Sequence, residues 1–297
     1  MVYFCFKTDI LLTKRIGYKH KNYFCVMKLF KIIIDFYINA SIHVALAVFS
    51  FVKITEFYLG VTGSESLGYF VFYATITAYN FVKYAGVAKL HHRSLTTHLK
   101  IIQIFSLVCF LLMCFYMSKL SVKILLFLAP LGLLTFLYAI PFLSGFQKNL
   151  RSVGYLKIII VAIVWAGITV FLPALYSEII FTKSLYLITL QRFLLVVVLI
   201  LPFDIRDVQY DAVLLQTIPK KIGIKKTKKL GYSLLAFCLL LELVIKSNDE
   251  FIAVFLLFIV ITLILLMKSS EEKSKYYSSF LVESMPIIWW ALLLIIV

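Results

Sequence analysis

Residues 184–211 read SLYLITLQRFLLVVVLILPFDIRDVQYD, a mostly apolar run from 184 to 203 that ends on three aspartates, Asp204, Asp207 and Asp211. At about 1.5 Å per residue, such a run crosses the ~30 Å hydrocarbon layer of a bilayer as a helix. Its apolar residues follow one another without the period-2 alternation of an outer-membrane barrel strand. Comparable stretches lie at 32–55, 68–88, 101–118, 122–143, 156–175, 230–246, 250–267 and 279–297, which makes nine with this one. A chain with 63% hydrophobic residues and a mean hydropathy of +1.01 cannot be wrapped around a soluble core. The expected fold class is all-α, a polytopic integral membrane bundle of about nine transmembrane helices.

Basic residues test that count, because Lys and Arg concentrate on the cytoplasmic side of membrane proteins. Of the 30, 24 lie in the N-terminal segment or around the ends of the second, fourth, sixth and eighth spans. The opposite ends carry only Lys53, Lys119, Lys123, Lys183 and Lys246, while Arg192 falls inside the sixth span. The N-terminus is therefore expected in the cytoplasm, with the chain multi-pass in the cell inner membrane. Attraction to anionic lipid headgroups accounts for the net charge of +16, so membrane lipids are the expected partners and nucleic acid is not. The five cysteines show no CxxC or metal-ligand spacing and read as free thiols. Residues 1–26 lack the tripartite order of a cleaved signal peptide. They read as a basic extension that translation from Met27 would leave out, followed by a single transmembrane domain over 27–297.

Asp204, Asp207 and Asp211 stand at i, i+3 and i+7, the spacing of one helix face. Packed carboxylates repel unless a divalent cation or a strong positive field compensates them, and Mg²⁺ favours carboxylate oxygens bridged to phosphate. The alternative is a solvated acidic turn that balances the basic loop behind it. Pro202 removes a backbone donor, so the helix is expected to end or kink there.

The segment Asp204, Ile205, Arg206, Asp207, then Asp211, followed by Thr217, Pro219 and Gly223, resembles the second aspartate-rich motif of the UbiA superfamily of intramembrane prenyltransferases. Tyr138 and Pro141 at the end of the fourth span are similar to the family's Tyr and Pro before a basic loop, with Lys148 and Arg151 following. The resemblance implies a transferase that moves an isoprenyl group from its diphosphate to a lipophilic acceptor. It also implies Mg²⁺ on Asp204, Asp207 and Asp211, catalytic roles for Asp207 and Asp211, and diphosphate contacts from Arg206, Tyr138, Lys148 and Arg151.

One half of the family pattern is altered. Its first motif, Asn-x-x-x-Asp-x-x-x-Asp, starts here at Asn80, but the acids fall on Tyr84 and Ala88, and no Asp or Glu occurs between Glu65 and Glu178. Lys83 stands one turn from Asn80. With Asn80 it either contacts diphosphate and takes over a catalytic task from a metal ion, or it pairs with Asp207 in an emptied site. Asp35, Asn39 and His43 recur every four residues of the first span, and Asp35 reads either as a substitute ligand or as a headgroup-level acid beside Lys31. Arg192 and Glu242 read as structural partners inside the membrane. Three function classes follow: a prenyltransferase, a catalytically impaired prenyl-lipid binding or scaffold protein, and a transporter, which the lack of inverted repeats disfavours.

Overall fold

Inside a bilayer no water satisfies peptide groups, so a spanning chain must satisfy them within itself. Among the described residues all regular structure is helical. The computed structural model describes residues 28, 30–63, 65–88, 97–140, 154–209, 217–245 and 248–296. The extension 1–26 and the candidate residues Pro141, Lys148, Arg151 and Asp211 lie outside them.

In chain order the helices are α1 (30–39), α2 (Ile42–Leu59), α3 (Glu65–Ala88), α4 (Thr97–Met117), α5 (Val122–Ala139) and α6 (Gly154–Ala166). They continue as α7 (Leu172–Tyr176), α8 (Lys183–Asp207), α9 (Ile218–Ile222), α10 (Ile224–Ile245), α11 (Asp249–Lys268) and α12 (Met285–Ile296). Each of the nine expected spans overlaps at least one of them. Seven helical stretches are long and apolar enough to cross a membrane; α3 and α10 mix polar and charged residues among their apolar ones.

α2 is the central helix. Its span is 61% buried, whereas those of α4 and α5 are each 11% buried although more apolar. Apolar helices with so much uncovered surface are the ones that meet lipid tails. Since tails are as apolar as leucine, helix contacts here rest on close packing rather than on exclusion of water. Phe51, Leu195, Phe255, Phe258 and Trp289 supply that packing between α2, α8, α11 and α12, with the Trp289 ring 4.7 Å from Phe258 and 5.1 Å from Phe255. Gly231 lets α10 close on its neighbours, for a Cβ there would stand 2.4 Å from Leu266 Cδ2 and 3.0 Å from Leu201 Cδ1.

Three departures from regular helix shape the interior. The first expected span is split at Ala40 and Ser41, where Ser41 takes a left-handed φ of 63°, a conformation that a residue with a Cβ rarely adopts without outside support. A π turn over Gly167–Phe171 joins α6 to α7, and another over Tyr277–Val282 leads into α12. Pro202 does not end the helix: it is buried within α8, which continues through it to Asp207.

Candidate functional site

The break between α1 and α2 faces α3, and it organises the site. Asn80 is buried and spends its amide on this break: Nδ2 donates to the Ala40 carbonyl (3.1 Å) and to Ser106 Oγ (2.8 Å), while Oδ1 accepts from Ser41 Oγ (2.7 Å). Lys83, one turn on, donates to Ser41 Oγ at 2.8 Å and to the Ile38 carbonyl at 3.3 Å. Tyr84, which stands where an acid was expected, donates to the Asn39 carbonyl at 3.1 Å. The altered motif thus supplies the partners that hold Ser41 in its strained conformation.

The aspartates of α8 share a face but not a site. Asp204 is fully buried and its Oδ1 accepts from Lys157 Nζ of α6 at 2.7 Å. Asp207 accepts twice from its neighbour Arg206, at 2.7 Å from Nε and 3.0 Å from Nη2. Arg206 also reaches the turn before α12, donating to Ser278 Oγ (2.6 Å), to Ser279 Oγ (3.4 Å) and to the Lys275 carbonyl (3.3 Å). Lys83 bonds Ser41 rather than Asp207.

On α1, Asp35 accepts from Lys275 Nζ at 2.8 Å and Tyr276 Oη at 2.7 Å, contacts that hold its carboxyl below the ordinary value, Lys275 being the main cause. The headgroup-level reading of Asp35 fits this placement, though Lys275 is its hydrogen-bonded cation. His43 is buried, bridging Tyr37 Oη and the Phe280 carbonyl, both at 2.9 Å, with its ring stacked on Phe280.

One acid of this region had drawn no attention in the sequence. Glu283 follows the second π turn, and its N–H donates to the Ser278 carbonyl five residues back at 3.1 Å. Lys83 and Arg206 lie within its electrostatic reach, as do Tyr37 and Tyr79. Lys83 is exposed and Glu283 half-buried. Tyr79 accepts from Trp165 Nε1 at 3.0 Å, and Tyr138 of α5 stands within reach of it. An ionisable residue inside an apolar span was the available signal for Glu283, hidden by the attention drawn to clustered acids.

This geometry has relatives among solved structures. A UbiA homolog from Archaeoglobus fulgidus bound to GPP and Mg²⁺ superposes with a TM-score of 0.58 at 15% identity, covering 88% of this chain and 99% of that one. The same homolog bound to DMAPP and Mg²⁺ gives 0.58 at 14%, covering 88% and 98%. A digeranylgeranylglyceryl phosphate synthase gives 0.54 at 11%, covering 89% and 98%. This chain carries the UbiA fold. No protein-family model and no curated protein sequence matches it.

Within the UbiA fold the question becomes whether these residues suit a metal ion. Among the described residues no three His, Cys, Asp or Glu side chains gather around one point. Asp204 already faces Lys157, Asp207 faces Arg206, and Asp35 faces Lys275, so each has the compensating charge that Mg²⁺ would bring. The described donors do not fit a bound metal ion. The expected Mg²⁺ on Asp204, Asp207 and Asp211 therefore finds no assembled ligand set there, the third acid lying outside the described residues. What this UbiA fold does bring together is Asn80 and Lys83 of α3 on the α1–α2 break, and Arg206 of α8 on the turn that leads into α12.

Proposed function

We propose that this protein binds an isoprenyl diphosphate in its membrane bundle and transfers the isoprenyl group to a lipophilic acceptor. The observation that supports the reading is the UbiA fold itself, in which Lys83 of α3 keeps exposed surface and Arg206 of α8 reaches past Asp207 to Ser278. Point charges and a guanidinium fork are the donors that phosphate oxygens select. In the proposed step the diphosphate oxygens accept from Lys83 and Arg206. The allylic C–O bond breaks with its electron pair going to the diphosphate. The acceptor forms the new bond to carbon and releases a proton to the departing diphosphate. Developing negative charge is met by fixed cations in a site screened from water, which is where such contacts are worth most. The aromatic rings offer π faces to the carbocation.

Asp207 and Asp211 belong to the proposal as the carboxylates of the α8 motif, with Asn80, Tyr138, Lys148 and Arg151 bordering the headgroup. That the neighbours were solved with GPP or DMAPP supports the ligand class. The proposed location is a multi-pass position in the cell inner membrane with the N-terminus cytoplasmic, which reporter fusions to the loops would check. Lipid mass spectrometry of membranes with and without the protein tests turnover: a prenylated lipid present only with the wild-type protein, and lost in D207N and D211N, is expected.

A second reading, prenyl-lipid binding without turnover, has its own observation: Asp204 and Asp207 are each held by a basic side chain. It expects ligand binding and no prenylated product in the same measurement.

A further inference from the structure

The corner between α9 and α10 carries charge that the bundle does not use. Gly223, at a φ of 80° and a ψ of 155°, turns the chain from one helix into the other, a conformation natural to glycine and costly for any residue with a Cβ. Thr227 then fixes the first turn of α10 by donating from Oγ1 to the Gly223 carbonyl at 2.9 Å. The corner borders a surface groove of about 540 Å³, whose lining includes Val208 at the end of α8, Lys220 of α9, Lys225 and Lys226 of α10, and Glu271 beyond α11. Two other lysines of the same run are committed elsewhere: Lys221 lies 5.0 Å from the centre of the Tyr155 ring, and Lys228 donates to the Met267 carbonyl at 2.9 Å. Lys225 and Lys226 are exposed, with no side-chain hydrogen bond or ion pair among the described residues. Glu271 already accepts from Gln209 Nε2 at 3.0 Å. The groove thus sets three cations against one carboxylate.

Below the groove, α10 offers an apolar stripe. Lys226, Lys229, Ser233, Phe237, Leu240 and Val244 follow one another at intervals of three or four residues, so they share one helix face, and all six are exposed. Phe237, Leu240 and Val244 are 45%, 58% and 57% exposed. From Lys229 to Leu240 the face runs about 16 Å along the helix axis, about the depth of one bilayer leaflet. Cations at one end and a leaflet's depth of apolar surface beside them match the outline of a phospholipid. We propose that the α9–α10 corner is a binding site for one anionic phospholipid. Its phosphodiester oxygens accept from Lys225 and Lys226 with Lys220 beside them, and one acyl chain lies along Phe237, Leu240 and Val244. Charge complementarity selects this occupant: surplus positive charge favours a headgroup of net negative charge over phosphatidylcholine, whose ammonium the same lysines repel. The site does not depend on the isoprenyl-diphosphate reading. Val208 directly follows Asp207, so the bound headgroup adjoins the end of α8 that carries the aspartates.

Native mass spectrometry of the full-length protein in detergent, titrated with phosphatidylglycerol, phosphatidylcholine or the deacylated headgroup glycerophosphoglycerol, tests this. The wild type is expected to retain one phosphatidylglycerol at least about tenfold more tightly than phosphatidylcholine. The double variant K225Q/K226Q is expected to bind phosphatidylglycerol at least about tenfold more weakly, since each lysine beside an anionic headgroup contributes about fivefold. K225R/K226R keeps the charge and is expected to keep the binding. K119Q/K123Q, which removes the same charge at the junction of α4 and α5, is expected to bind as the wild type does, with thermal unfolding confirming that each variant is folded. Equal retention of the two phospholipids by the wild type overturns the proposal, as does an equal loss in K225Q/K226Q and K119Q/K123Q, which marks attraction by net charge alone. Glycerophosphoglycerol bound as tightly as phosphatidylglycerol overturns the acyl-chain contact and with it the lipid assignment.

Discussion

The bundle holds two groups of interior charges, and they are built in opposite ways. In the half away from Asp207, Arg192 donates to the Phe51 carbonyl at 2.9 Å and to Thr55 at 3.4 Å, with its guanidinium 4.1 Å above the Phe51 ring. Glu242 accepts from Tyr58 at 2.7 Å and from Gln191 at 2.8 Å. Arg192 and Glu242 are 2% and 0% exposed, which leaves no approach for a ligand. Along α8, Arg192 lies about 22 Å from Asp207, and at that end Lys83 donates to Ser41 Oγ and the Ile38 carbonyl while Arg206 pairs with Asp207 and reaches Ser278. Arg192 and Glu242 are buried and satisfied by neutral partners on neighbouring helices, which ties α2, α8 and α10 together, whereas Lys83 keeps exposed surface beside its partners.

Breaking the first group should show most strongly in stability. R192M takes the guanidinium's hydrogen bonds from the Phe51 carbonyl and Thr55 and is expected to cost about 2 to 3 kcal/mol in detergent unfolding, while the fraction that remains folded binds a prenyl thiodiphosphate as before. K83M should invert that pattern, with at least tenfold weaker ligand binding and a stability loss of about 1 kcal/mol from the bond to Ser41. Equal losses of stability and binding in both variants would erase the contrast.

Smaller effects sharpen it. N80A removes the two bonds that brace the α1–α2 break and the one to Ser106 of α4 and is expected to cost about 1 to 2 kcal/mol, with weaker ligand binding because Ser41 then no longer positions Lys83. G231A forces Leu266 and Leu201 to move and is expected to cost about 1 kcal/mol with no change in binding. D35N tests the exposed pair with Lys275, worth at most about 0.5 kcal/mol after solvent screening. The Asp35 carboxyl is held below its unfolded value, so its contribution is present above that unfolded value and lost as pH falls through the folded one. Unfolding of wild type and D35N should therefore converge at low pH.

The nine apolar runs announced the helices because the bilayer leaves a chain no other way to satisfy its peptide groups. The split at Ala40 and Ser41 carried no such signal: neither Gly nor Pro marks it, and Ser41 holds its φ of 63° only because Asn80 and Lys83 come from 39 and 42 residues away to grip it. The same distance effect governs the site. The spacing of Asp204 and Asp207 placed them on one helix face, but Lys157, which neutralises Asp204, comes from 47 residues upstream.

Amino-acid order by itself determined that this chain lives in a membrane as an all-helical bundle, and it set Tyr84 and Ala88 where the resembled family's first motif would have acids. Only tertiary structure decided what that change means. The electrostatic partner of a charge is set by distance in space, and helices far apart in sequence bring Lys157 to Asp204 and Lys275 to Asp35.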